Sequence, residues 1–62
     1  MTEIRAIRKN RKMSQQELAQ KMGVSPSAIS HWENGRRVPD ANVLIAMSKA
    51  LGCKLNDLIK ED

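Results

Sequence analysis

The apolar positions of this chain recur at helical spacing in five short bursts, separated by residues that stop or start helices. Leu18, Ala19 and Met22 share one helical face, and Ile29 and Trp32 share the next. Gly23, Val24 and the pair Ser25-Pro26 lie between them. Glycine takes a left-handed turn without a Cβ clash, so Gly23 closes a helix predicted over about 15–22. Ser25 caps a helix over about 26–33, and Pro26 at its first position gives up no needed N–H. Two helices joined by so short a turn cross steeply and touch near it. The small Ala19 lets their backbones approach there, and Ile29 with Trp32 fills the angle.

The pattern continues on both sides. A first helix is predicted over 2–12, capped by Thr2, with Ile4 and Ile7, then Met13 beyond its end, as the apolar stripe. Arg5, Lys9 and Lys12 fall on the opposite side, and Arg8 beside the stripe. Ser14 followed three residues later by Glu17 is a capping box for the second helix. Asn34-Gly35 stops the third, and Arg36 to Pro39 reads as an exposed connection. Asp40 caps a fourth helix over about 41–51, with Ala41, Leu44, Met47, Ser48 and Leu51 on one face. Gly52 ends it. A short last helix at about 55–60 carries Leu55, Leu58 and Ile59, which either close the core or present a side chain to a second copy. No strand is expected. The prediction is an all-α, compact five-helix domain with a helix-turn-helix, spanning 1–62 as a single unit.

Composition narrows this picture. With 40% hydrophobic residues and no Phe or Tyr, the core must be aliphatic around one Trp. Sixty-two residues make a marginal free fold unless the helices pack well or the chain pairs with a copy of itself. No apolar run reaches the ~18 residues of a membrane span, and no signal-peptide block precedes the first helix. One cysteine gives no internal disulfide, which favours an intracellular setting. The net charge of +4 is uneven: residues 1–37 hold eight basic and three acidic side chains, and residues 38–62 hold three and four. Charge alone fits either a polyanionic partner or a solvated face.

On the third helix Ile29, Trp32 and Glu33 point one way, and Ser27, Ser30, His31 and Asn34 the other. That second face is small, polar and uncharged: a poor core, but suited to the edge of a DNA groove. Trp32 falls with Ile29 and reads as core rather than as a base-stacking residue. His31 has no second ligand nearby, so no metal is expected. Cys53 reads as a small apolar filler. With no glycine-rich phosphate loop and no paired acids, no catalytic role and no cofactor are expected.

These residues together carry a family resemblance. Ser14-Gln-Gln-Glu-Leu-Ala19, Gly23-Val24-Ser25, Ile29 to Gly35, Pro39 and Leu51-Gly52 resemble the lambda-repressor-like, Cro/cI-type (XRE) helix-turn-helix family. The resemblance implies a five-helix DNA-binding domain whose third helix enters the major groove. By position it implies phosphate contacts from Gln15, Ser25, Ser30, Asn34, Arg36 and Arg37, and an ion pair between Arg8 and Glu33. It implies base reading by Pro26, Ser27, Ala28 and His31. Several phage repressors have Gln where this chain has Pro26, and proline cannot make the two hydrogen bonds to adenine that Gln can. Pro26 and Ala28 suit a thymine methyl, Ser27 donates or accepts, and His31 donates to guanine. So short-armed an edge implies modest base discrimination, supplemented by DNA shape. Lys54 stands where relatives often have a capping Ser or Thr, which implies a looser last helix.

The function implied is a small transcriptional repressor, bound to an operator as a homodimer through the Leu55, Leu58, Ile59 region. Such dimers span half-sites ~34 Å apart. The expected setting is the cytoplasm of a bacterium, or of a phage's host, at the nucleoid when bound, with no small-molecule ligand. The alternative is a protein-interaction module on the same fold, such as an antitoxin-like partner.

Overall fold

Turn and cap chemistry decides where each helix begins. In the computed structural model, which describes residues 2–59, five helices follow one another: α1 (Ile4–Asn10), α2 (Gln15–Met22), α3 (Pro26–Glu33), α4 (Ala41–Leu51) and α5 (Leu55–Leu58). The Ser14 hydroxyl accepts the Glu17 N–H at 3.0 Å, and the Glu17 carboxylate accepts the Ser14 N–H at 3.0 Å, completing a capping box. Ser25 caps α3 through the Ala28 N–H at 3.2 Å, and Asp40 caps α4 through the Val43 N–H at 2.9 Å.

Gly23 ends α2 at φ +70. Nothing lies within 4 Å of a Cβ added there, so Gly23→Ala meets only the left-handed backbone penalty. We expect a loss of about 1 kcal/mol in urea unfolding. A loss several times larger would mean that the turn is coupled to packing elsewhere.

α1 is shorter than the apolar pattern suggests, and Thr2 is not its cap. Glu3 occupies the cap position. Thr2 forms an isolated antiparallel bridge with Ile59, and the Glu3 N–H donates to the Leu58 carbonyl at 2.8 Å. The residues before α1 are thus drawn onto the far end of the fold, a long-range pairing that local pattern does not register. At its other end α1 stops at Asn10, and Lys12 takes φ +55 to turn the chain. Arg11 reaches from this turn to donate to the carbonyls of Leu51 at 3.1 Å and Gly52 at 3.4 Å, capping the end of α4.

The buried core joins all five helices: Ile4, Leu18, Ala19, Ile29, Trp32, Met47, Leu51 and Leu58. α2 packs on α3 and α4, α4 on α5, and α1 on α3. Leu58 is fully buried and closes this core, so it is not available to a second copy. Leu55 and Ile59 remain 39% and 44% exposed. Ala41 is exposed rather than facing inward, and Pro39 is buried rather than part of an exposed connection. Its apolar ring lies with Thr2, Trp32, Gly35, Arg37 and Val38 around a cleft of about 140 Å³. Cys53 packs half-buried against the core. Burial and the charge of Asp57 push its thiol above the ordinary range, against the pull of Arg11, so it stays protonated.

α5 ends at Leu58, with Ile59 extended; the Lys60 of the predicted range lies outside the described residues. Its start is held in a different way from that expected. Lys54 has no capping acceptor, but the Asp57 carboxylate accepts the Lys54 N–H at 3.2 Å, the reverse half of a capping box.

Candidate nucleic-acid interface

α3 divides its residues between two faces because its period is 3.6 and only one face meets α1 and α2. Ile29 and Trp32 are buried behind it. In front, Ser25, Pro26, Ser27 and Asn34 are exposed, while Ser30 and His31 are half-buried. Ala28 is half-buried and packs against the core, so only part of it reaches the front. Ser25 already accepts the Ala28 N–H but keeps its own O–H to donate.

Glu33 organises the polar side. Arg8 grips it with two bonds, Nε to Oε2 at 2.6 Å and Nη2 to Oε1 at 3.2 Å, and donates Nη1 to the Met13 carbonyl at 2.8 Å. Gln15 donates its amide to Oε1 at 2.9 Å, and Arg5 adds Nε at 3.4 Å. The Glu33 side chain is 0% exposed and that of Arg8 10%, so this pair is a buried, bidentate one. The Arg5 side chain is 51% exposed. Arg5 also donates Nη2 to the Asn34 Oδ1 at 2.6 Å, and Asn34 donates Nδ2 to the Ser30 hydroxyl at 3.3 Å. Among the described residues no buried side-chain polar atom lacks a partner.

Burial works to raise the Glu33 carboxyl pKa, but the hydrogen bonds from Arg8 and Gln15, the Arg8 charge and the Arg5 bond outweigh it and hold the pKa below its ordinary 4.5. A depressed folded-state pKa contributes stability that is present above the unfolded value and lost as pH falls through the folded one. Acid unfolding followed by Trp32 fluorescence is therefore expected to steepen below pH 4.5. Glu33→Gln should flatten that limb; an unchanged acid limb would assign it to other carboxylates.

The structure gathers Gln15, Ser30 and Asn34 into the network that also holds Arg8 and Glu33. Pro26 and Ser27 stand at the start of α3 with Ser25. Arg36 and Arg37 follow its end, where their backbone N–H groups both donate to the His31 carbonyl, at 3.0 and 3.3 Å. Both side chains are exposed, and neither makes an ion pair among the described residues. Arg5 is the residue that the pattern passed over. Assigned to the polar back of α1, it lies three positions from Arg8, a spacing that puts both guanidiniums on one side of a helix.

A family model described as helix-turn-helix matches residues 4–58 of the chain. The chain belongs to that helix-turn-helix family. The resemblance carried by the Ser14–Gly35 motifs holds, and the five helices arranged around α2 and α3 are the family's architecture. Among relatives, the chain is similar to repressor protein C2 of Salmonella phage P22, at 46% identity over 59 residues, covering 95% of this chain and 27% of that protein. It is also similar to multiprotein-bridging factor 1 of Candida glabrata, at 44% over 52 residues, covering 84% of this chain and 34% of that one. The chain thus spans about a third or less of these curated relatives. It superposes on the crystal structure of the P22 c2 repressor in complex with a synthetic operator with a TM-score of 0.83 at 46% identity, covering 95% of this chain and 89% of the other. None of the helices described is long and apolar enough to cross a membrane.

Proposed function

We propose that this chain is a sequence-specific, double-stranded DNA-binding transcriptional regulator, a small non-enzymatic repressor that sets α3 into the major groove. The observation that carries this is the front of α3. A short polar edge of Ser27 and His31 is braced by a buried core and followed by two exposed cations, Arg36 and Arg37, that make no ion pair among the described residues. Free cations beside an uncharged polar ridge suit a ligand whose backbone is anionic and whose interior is read by hydrogen bonds. The P22 c2 repressor, to which the chain is similar, is known in complex with a synthetic operator, which supports DNA as the ligand.

In this reading Pro26, Ser27, Ala28 and His31 face bases, while Gln15, Ser25, Ser30, Asn34, Arg36 and Arg37 face phosphates. Two copies bind, and the exposed Leu55 and Ile59 supply apolar surface for pairing them. The action is cytoplasmic, at the nucleoid, and excludes polymerase from a promoter. No small-molecule ligand, metal or cofactor takes part.

Selection of bound duplexes from a random pool tests this, with palindromic half-sites about one helical turn apart as the expected result. Recovery of no preferred sequence would remove base reading. His31→Ala is expected to lose preference at one or two base positions, and Arg36→Ala to weaken all duplexes alike. Exchange of these two outcomes would mean that α3 lies in the groove in another orientation.

A second reading, a protein-interaction module, rests on the same exposed Leu55 and Ile59 and on the similarity to a multiprotein-bridging factor.

A further inference from the structure

We propose that Arg5 is a phosphate-contacting residue of the DNA interface, standing at its edge as the surplus cation of the Glu33 cluster; this rests on the DNA-binding reading above. Two guanidiniums surround one carboxylate, so the cluster keeps one positive charge. The two are not equivalent. Arg8 makes both close bonds to Glu33 and is nearly buried, so it neutralises the carboxylate. Arg5 makes one contact of 3.4 Å, and half of its side chain is exposed. A half-exposed contact of that length contributes little to stability, and the shorter Arg5 bond goes to the exposed, neutral Asn34 amide, so neither contact within the fold uses up the Arg5 charge.

The donors around Arg5 are not all used within the fold. A guanidinium has five N–H donors, and Arg5 uses one on Nε and one on Nη2, leaving three. By taking the Asn34 Oδ1, Arg5 fixes the orientation of that amide. Asn34 gives one Nδ2 hydrogen to Ser30 and keeps the other. Gln15 is held in the same way: one hydrogen of Nε2 goes to Glu33, and the second is left over. Three side chains from α1, α2 and the end of α3 thus keep unused N–H donors around one net positive charge, and these outnumber the one acceptor left open, the Gln15 amide oxygen. A planar guanidinium fork beside two amides matches the oxygens of a phosphodiester.

The test is fluorescence anisotropy of the full chain on a random-sequence duplex over a series of salt concentrations, with thermal unfolding measured in parallel. Arg5→Gln is expected to make the slope of log affinity against log salt shallower by about 0.9 per bound chain. Over a fourfold rise in salt the variant should then lose about 3.5-fold less affinity per chain than the wild type. Arg5→Lys keeps the charge and is expected to keep the slope; a slope lost equally with Lys would overturn charge neutralisation by this residue. An unchanged slope in Arg5→Gln, with a reduced one in Arg36→Ala, would overturn the proposal and leave DNA binding standing. So would a collapse of the unfolding temperature in Arg5→Gln, which would make the residue structural. Absence of salt-dependent duplex binding in the wild type would remove the DNA-binding reading itself, and this inference with it.

Discussion

Glu33→Ala is expected to cost about 3–5 kcal/mol, more than any other single change at the surface of α3, because it strands a buried guanidinium. Arg8 would keep only the Met13 carbonyl, and Gln15 would lose its acceptor. A chain of this length has a total stability of roughly 3–9 kcal/mol, so the variant should be close to unfolded. Urea unfolding read by Trp32, the only tryptophan, measures it. Replacing both partners by apolar residues of similar volume, Arg8→Met with Glu33→Leu, should recover most of the loss, since the penalty comes from the unpaired charge. A loss below about 1 kcal/mol in Glu33→Ala would mean that water screens the pair as it does a surface bridge.

The second large effect is on binding. On the proposed reading, Arg36 and Arg37, with Arg5 as the third cation, give two or three phosphate-neutralising side chains per chain and four to six if two copies bind. At a slope of about −0.9 per contact, raising salt fourfold should weaken duplex binding by roughly two to three orders of magnitude. The uncharged donors proposed for the interface, Gln15, Ser25, Ser30 and Asn34, are expected to add little to that slope. Titration by anisotropy on any duplex suffices, because the term is independent of sequence. A flat salt dependence would favour the protein-interaction reading, in which Leu55 and Ile59 meet an apolar partner.

Local chemistry made much of the fold legible. The caps at Ser14, Ser25 and Asp40, and the left-handed Gly23 and Gly52, act within four residues of themselves, so a reader of sequence meets cause and effect together. The helical spacing of Leu18 with Ala19, of Ile29 with Trp32 and of Met47 with Leu51, each within one helix, marks the core for the same reason. What escaped involves partners far apart in the chain. Local preference makes Thr2 a cap, because Ser and Thr favour caps, but pairing with Ile59 and the Glu3–Leu58 bond draw it away from that position. Periodicity leaves Leu58 open between core and interface, because it does not distinguish a stripe that packs on its own chain from one that packs on another. The place of the Arg5 guanidinium depends on Glu33 and Asn34, more than twenty residues away, and no helical pattern carries it. The Asp57–Lys54 bond is the local exception: with Lys at the cap position, the Ser or Thr that signals a capping box in sequence is missing.

The division of α3 into a braced back and a sparsely bonded front has an engineering consequence. Ser27 is exposed, and the hydrogen bonds around His31 run through its backbone carbonyl rather than its ring. Side chains at these two positions are therefore interchangeable parts: a library varied at 27 and 31 should stay folded while its members prefer different operators. Ala28 does not share this freedom, since its methyl packs against the core and a longer side chain there would wedge the helix away from its support. On the proposed reading, retargeting this scaffold comes down to rewriting two letters and leaving Ala28 as it is.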